Sequence, residues 1–164
     1  MSNVQKPTDP SPLARALGRF PSGLFILTTE APDGPIGFLA SFCQQVGFEP
    51  PTVAVAVGRQ RGPLEAIRSA GSFALSVLDS SSKGCMAPFF GKVPDGEGPF
   101  DVLAHSRPEG PCVVLDDALA WVQAEVVGEH ALEDHVVIFG KATAGGVRRD
   151  GEPLVHLRKN GLSY

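Results

Sequence analysis

Apolar residues fall in short runs along this chain, and glycine, proline and charged residues separate the runs. Ser11 before Pro12 suits a helix N-cap followed by a first helical position. Leu13 and Leu17, then Ala16 and Phe20, repeat at four-residue spacing, which predicts a short amphipathic helix ending near "FPSG". "GLFILTT" from Gly23 reads as a strand, "APDGP" as a turn in which Gly34 is free to take positive φ, and "IGFLASF" as the returning strand of a hairpin. After the double proline, "PPTVAVAV" starts a third strand. "GPLEAIRSAG" reads as a helix, opened by Gly62-Pro63 and stopped by Gly71, and "SFALSVL" as the strand after it. Gly84 and Pro88 make "SSSKGCMAPFFGK" a poor helix. From Val93 to Pro111, glycine and proline leave a long loop with little pattern of its own, a length more often functional than idle in a compact domain. "ALAWVQAEVVGEH", "HVVIFGKATAGGV" and "EPLVHLR" read as three further strands, the last pair joined as a hairpin through Asp150-Gly151.

Short strands at close spacing with few short helices predict a mainly β protein, an antiparallel barrel rather than the βαβ alternation of a doubly wound sheet. The 164 residues suit one domain around one core. Residues 1–10 are polar and proline-rich and are expected to form a loose tail, leaving residues 11–164 as that domain. With a net charge of −4 and no basic block beyond Arg148-Arg149 and Arg158-Lys159, a nucleic-acid partner is not expected. Nor is a membrane, since "TVAVAV" is far too short to cross one and no apolar leader follows Met1. Cys43, Cys85 and Cys112 form no CxxC pair and leave one over in any pairing, which argues against a disulfide framework and a zinc site. They are expected as small buried hydrophobes in a reducing, cytoplasmic compartment.

Candidate chemistry is sparse. Arg59, Gln60, Arg61 and Gly62 lead into a helix N-terminus, where free N–H groups, a glycine and guanidinium forks would suit a phosphate. The same residues also fit a loop with two solvated arginines. Ser41, Phe42, Cys43, Gln44 and Gln45 would offer donors and acceptors to a planar heteroaromatic ring, with Phe42 or Phe38 on its face; they equally fit a strand leaving the core. Asp134-His135 reads either as a base with its orienter or as a cap beside a satisfied histidine. His156 stands in a strand, where a lone histidine is usually structural, but Arg158 and Lys159 follow it. G-x-S-x-G, GxGxxG and GxxxxGK[ST] are all absent, and no His/Cys/carboxylate spacing suggests a metal site. No catalytic residue is assigned.

Five segments in register, covering nearly the whole chain, resemble the flavin reductase-like family: "RALGRFPSGLFILTT", "IGFLASFCQQVGFEPPTVAVAV", "LEAIRSAGSFALSVL", "GPCVVLDDALAWVQAEV" and "DHVVIFGKATAGGVRRDGEPLVHLRKNGLSY". This is the split-barrel, FMN-binding domain of short-chain NAD(P)H:flavin oxidoreductases, with a Greek-key-like antiparallel barrel. The resemblance implies FMN as cofactor, with FAD the alternative, and NADH or NADPH as donor. It also implies a homodimer with the flavin at the subunit interface and a monooxygenase or other redox protein as partner. By the same resemblance, the loop of Arg59, Gln60, Arg61 and Gly62 would hold the phosphate, and Lys92 would belong to the cofactor site. Leu39, Ala40, Ser41, Phe42, Cys43 and Gln45 would follow the ring edge, and His135, His156 and Arg158 would stand near the flavin or nicotinamide face. The 93–111 loop would gate the open side. Leu39 departs from the family by lacking a hydroxyl, and the arginine-rich loop replaces its usual Ser or Thr. The Ser-aromatic-x-x-Gln form is closer to the flavoredoxin-like branch, so an FMN-bearing electron carrier is the first rival reading and a flavin-free interaction module the second.

Overall fold

A computed structural model describes residues 9–163, so nearly all of the expected N-terminal tail lies outside the described residues. In chain order the elements are α1 (Pro12–Leu17), β1 (Ser22–Gly23), β2 (Phe25–Ala31), β3 (Gly34–Ala40), β4 (Cys43–Phe48), β5 (Pro51–Gly58), α2 (Pro63–Ala70) and β6 (Ser72–Val77). A 3₁₀ helix (Lys83–Phe90), α3 (Pro99–Val102), β7 (His105–Ser106), β8 (Val114–Leu115), β9 (Ala120–Ala131), β10 (His135–Val147) and β11 (Val155–His156) complete it. Ser11 caps α1, its hydroxyl accepting from the Ala14 N–H, and Gly34 takes φ 120° at the β2–β3 turn.

Seven strands form one antiparallel sheet in the order β3-β2-β6-β9-β10-β5-β4. Its two edge strands, β3 and β4, are consecutive in the chain and are joined only by Ser41 and Phe42. Laid flat, such a sheet would hold its edges about 29 Å apart at about 4.8 Å per strand spacing. The link reaches only about 10 Å when extended. The sheet must therefore curl until its edges meet at this corner, where the Ala56 N–H donates to the Phe42 carbonyl at 2.9 Å. The expected split barrel is the fold observed.

Alternate positions point inward. Leu27, Val55, Val57, Phe73, Leu75, Val136 and Ile138 fill the barrel, and Leu64 and Ile67 of α2 pack against them. Gly140 gives the Phe73 ring its room, since a Cβ there would lie 2.6 Å from the ring. On the outer face, Thr28, Ser76 and Gln123 are buried although polar. They hold a passing segment: Thr28 donates to the Val113 carbonyl, Gln123 donates to Cys112 at 2.6 Å, and the Leu115 N–H donates to Ser76 Oγ at 3.0 Å.

Three expectations need correction. "IGFLASF" does not run as one strand, because Ser41-Phe42 turns the barrel corner. "EPLVHLR" does not fold back on β10, which already has β9 on one side and β5 on the other and so offers no free edge. Its short strand β11 pairs instead with β1, His156 opposite Ser22 and Val155 opposite Gly23. The segment from Val93 to Pro111 is not patternless: it contains α3 and β7, β7 pairs with β8, and Arg107 ties its far end to Glu30 at 2.9 Å.

Candidate active site

The β1–β11 ladder brings the C-terminal segment across the end of the barrel, facing the 3₁₀ helix. Between them lies a cleft of about 820 Å³, within the range of about 300–1,000 Å³ usual for small-molecule sites. Leu24, Phe38 and Leu39 supply one apolar wall, and Met86, Phe89 and Phe90 of the 3₁₀ helix another. Arg61, Arg158 and Lys159 bring the charge, with the His156 ring among them. Among the described residues that line it there is no carboxylate, although the chain carries a net −4.

The cationic groups are held in place. The Arg158 guanidinium lies 4.2 Å from the centre of the Phe42 ring and donates to Ser41 Oγ. His135 meets the same ring edge-on at 5.7 Å, and its Nδ1 lies 3.0 Å from the Asp134 carboxylate. That contact holds the exposed Asp134 carboxyl below the ordinary range. Asp134, His135, Phe42, Arg158 and Ser41 thus form one contact chain from the start of β10 to the cleft. On the other side, the Arg61 guanidinium lies 5.3 Å from the centre of the Phe38 ring.

The predicted residues divide. Leu39, Ser41, Arg61, His156 and Arg158 line the cleft, and Phe42 and His135 adjoin it through Arg158. Ala40 points into the core, as strand alternation requires after Leu39. Cys43 and Gln45 lie past the corner and line a separate cavity of about 420 Å³ with Phe25, Val53 and Leu75. Burial pushes the Cys43 thiol up to about 12, so it stays protonated, and burial raises Cys85 and Cys112 as well. Arg59, Gln60 and Gly62 are exposed on the loop before α2, and Lys92 is exposed beyond the 3₁₀ helix; none of the four lines the cleft. Gly62 has φ −52° and ψ −38°, and a Cβ there would meet nothing within 4 Å, so neither backbone nor packing requires glycine. Leu24, Met86, Phe89, Phe90, Lys159 and Asn160 were not foreseen as site residues. The Phe89-Phe90 pair in a weak helix and the cations after His156 were the available signals.

A family model, the flavin reductase like domain, matches residues 17–161. The chain belongs to the flavin reductase-like family. Among curated relatives, the domain is 31% identical over 157 residues to "Diflavin flavoprotein A 1" of Synechocystis sp., covering 94% of this chain and 27% of that protein. It is 31% identical over 137 residues to "Probable flavin reductase" of Rhizobium meliloti, covering 83% and 43%. The chain thus spans less than half the length of either relative. Among solved structures, the flavin reductase PheA2 matches with a TM-score of 0.78 at 25% identity, over 92% of this chain and 94% of that one. The styrene monooxygenase flavin reductase SMOB of Pseudomonas putida S12 matches with a TM-score of 0.79 at 26% identity, over 90% and 93%. In this flavin reductase-like domain the cleft therefore sits on a barrel shared along nearly its whole length with two proteins named as flavin reductases.

Proposed function

We propose that this domain is an oxidoreductase that binds FMN in the cationic cleft and reduces it with NADH or NADPH. The observation that carries the reading is the cleft itself: apolar walls beside Arg61, Arg158 and Lys159, with no carboxylate among its described lining residues. That donor set fits a planar aromatic ring with an anionic tail. The walls remove ring surface from water, and a guanidinium matches phosphate oxygens with two parallel donors. The names of the Rhizobium relative and of the two solved reductases support the same reading.

Bound flavin would supply the redox chemistry, accepting a hydride from reduced nicotinamide at N5. The chain supplies position and electrostatics. Arg61, at the opening of α2 beside Gly62, would hold the phosphate. Leu39 and Phe38 would exclude water from one side of the ring. The stack on Phe42 and the bond to Ser41 hold Arg158 in the cleft, where it would meet the ring's polar edge or the nicotinamide nucleotide. His135 steadies Phe42 from the other side. No side-chain acid or base is needed for a hydride step. FAD remains the alternative cofactor, because nothing in the cleft's residue types rejects a second phosphate.

A homodimer is proposed with it, supported by apolar surface on the edge strand β4, where Phe48 is 87% and Val46 54% exposed. The proposed compartment is the cytoplasm, supported by three cysteines free of disulfides. A monooxygenase or another redox protein is the proposed consumer of the electrons. The second reading is an electron carrier that takes its electrons from a protein, favoured by the diflavin flavoproteins, of which this domain spans about a quarter. Anaerobic addition of NADH and NADPH to the FMN-loaded protein decides between them. Rapid loss of the visible flavin absorbance with either nucleotide is expected. Indifference to both would support the carrier, and a protein that binds no FMN would overturn both.

A further inference from the structure

Both sides of the cleft meet at a residue outside it. Asp79 follows β6, and its side chain is buried. Its Oδ1 accepts from the N–H groups of Ser81 at 3.0 Å and Ser82 at 2.9 Å and from both serine hydroxyls. Ser82 is the N-cap of the 3₁₀ helix that carries Met86, Phe89 and Phe90. The Asp79 N–H in turn donates to Ser82 Oγ at 2.8 Å. From the opposite direction Arg149, on the connection between β10 and β11, donates its Nε to Asp79 Oδ2 at 3.0 Å and its Nη2 to Oδ1 at 2.9 Å. Arg149 also donates to the carbonyls of Asp117 and Ala118. Directly after it the chain pairs with the same turn: Pro153 bridges Asp79, and the Leu154 N–H donates to the Leu78 carbonyl at 2.8 Å. His156, Arg158 and Lys159 follow within six residues of Pro153.

We infer that Asp79 and Arg149 are positioning residues for the flavin site: one buried carboxylate fixes the start of the 3₁₀ wall and, through Arg149, the approach of the cationic C-terminal wall. A carboxylate is needed because it alone accepts from the Ser81-Ser82 turn and from both arms of a guanidinium at once. The inference rests on the flavin reading of the cleft, and its test contains an arm that does not.

Asp79→Asn keeps an acceptor for the serine N–H groups but turns a donor toward Arg149, so it releases the C-terminal wall selectively. Arg149→Met removes the latch from the other end and serves if Asp79→Asn fails to fold. Ile138→Val, inside the barrel and away from the cleft, controls for general destabilisation. For each variant, FMN affinity is measured by flavin fluorescence below the melting range, and hydrogen exchange is measured without flavin. The latch predicts that Asp79→Asn and Arg149→Met weaken FMN binding about tenfold, while Ile138→Val stays within about twofold despite a lower Tm. It also predicts faster flavin-free exchange in residues 154–160 for both latch variants. Parent-like exchange in that segment would overturn the inference whether or not FMN binds. Faster exchange with unchanged FMN affinity would overturn it too, by showing that the latch orders the segment without serving the site. If the parent binds no FMN, the functional reading fails, and the exchange arm still decides whether the latch exists.

Discussion

Two short segments each carry a pair of cations, and the fold treats them differently. Arg59 and Arg61 precede α2, where a local rule about helix N-termini made them conspicuous. Both are exposed, but only Arg61 lines the cleft; the Arg59 N–H instead extends the β5–β10 pairing by donating to the Asp134 carbonyl at 3.0 Å. Arg158 and Lys159 follow a strand of two residues, and both line the cleft. What places them is the long-range β1–β11 ladder, which no local pattern announces. A charged pair becomes a site through the surface that tertiary closure sets opposite it.

Reversing one charge at a time is the sharpest way to break this contrast. Arg158→Glu should have the largest effect. It removes a charged hydrogen bond worth about 1.5–3 kcal/mol and sets a carboxylate in the cleft, so FMN affinity should fall roughly 100-fold or more in a fluorescence titration. Arg61→Glu should cost roughly tenfold in the same titration, and Arg59→Glu less than about twofold, the usual scale for an exposed charge. Equal losses at 59 and 61 would show that the loop acts as one unit and would erase the distinction.

Acid stability tests the anchoring of the second segment. The Arg149 guanidinium, with the Ser81 and Ser82 donors, holds the Asp79 carboxyl far below the ordinary carboxylate range, against the opposing effect of burial. Because the folded value is depressed, the stabilisation is fully present above the unfolded value of about 3.9 and fades as pH falls toward the folded one. Asp117 and Cys85 are the other titratable groups close to this pair. The parent's Tm should therefore drop steeply below about pH 4, and that of Asp79→Asn should be lower at neutral pH and flatter across the same window. Parallel profiles would show that the pair contributes nothing to stability.

The smallest effect is expected at Gly62. Since a Cβ there meets nothing in the chain, Gly62→Ala should leave stability unchanged or raise it by about 0.4–1 kcal/mol through the unfolded state. If the phosphate packs against that backbone, the added methyl group would still weaken FMN binding severalfold. Lowered stability with unaltered binding would mean that the glycine serves the fold alone.

Much of the barrel was legible because its signals are local. The turn at Gly34, the helix between Gly62 and Gly71 and the long strands β9 and β10 follow from turn chemistry, capping and alternation. The site was legible where a side chain lies on or directly beside the element that announces it, as with Arg61 before α2, Leu39 at the end of β3 and Ser41 just after it. Cys43 and Gln45 read as their continuation, but the two-residue corner moves them to the opposite sheet edge and to a different cavity. Thr28, Ser76 and Gln123 are polar residues within strands, and what covers them is the distant segment they hold. Lys92 and Lys159 are equally cationic in the sequence, and only the β11 ladder makes one of them a cleft residue. In each case the missing information was which distant chain arrives.

The most direct test of the cleft as the flavin site is a crystal structure of the protein grown with FMN. Ring density between the 3₁₀ helix and the segment from His156 to Asn160, with the phosphate beside Arg61, is the result predicted. Flavin density in the second cavity, beside Cys43 and Gln45, would contradict it.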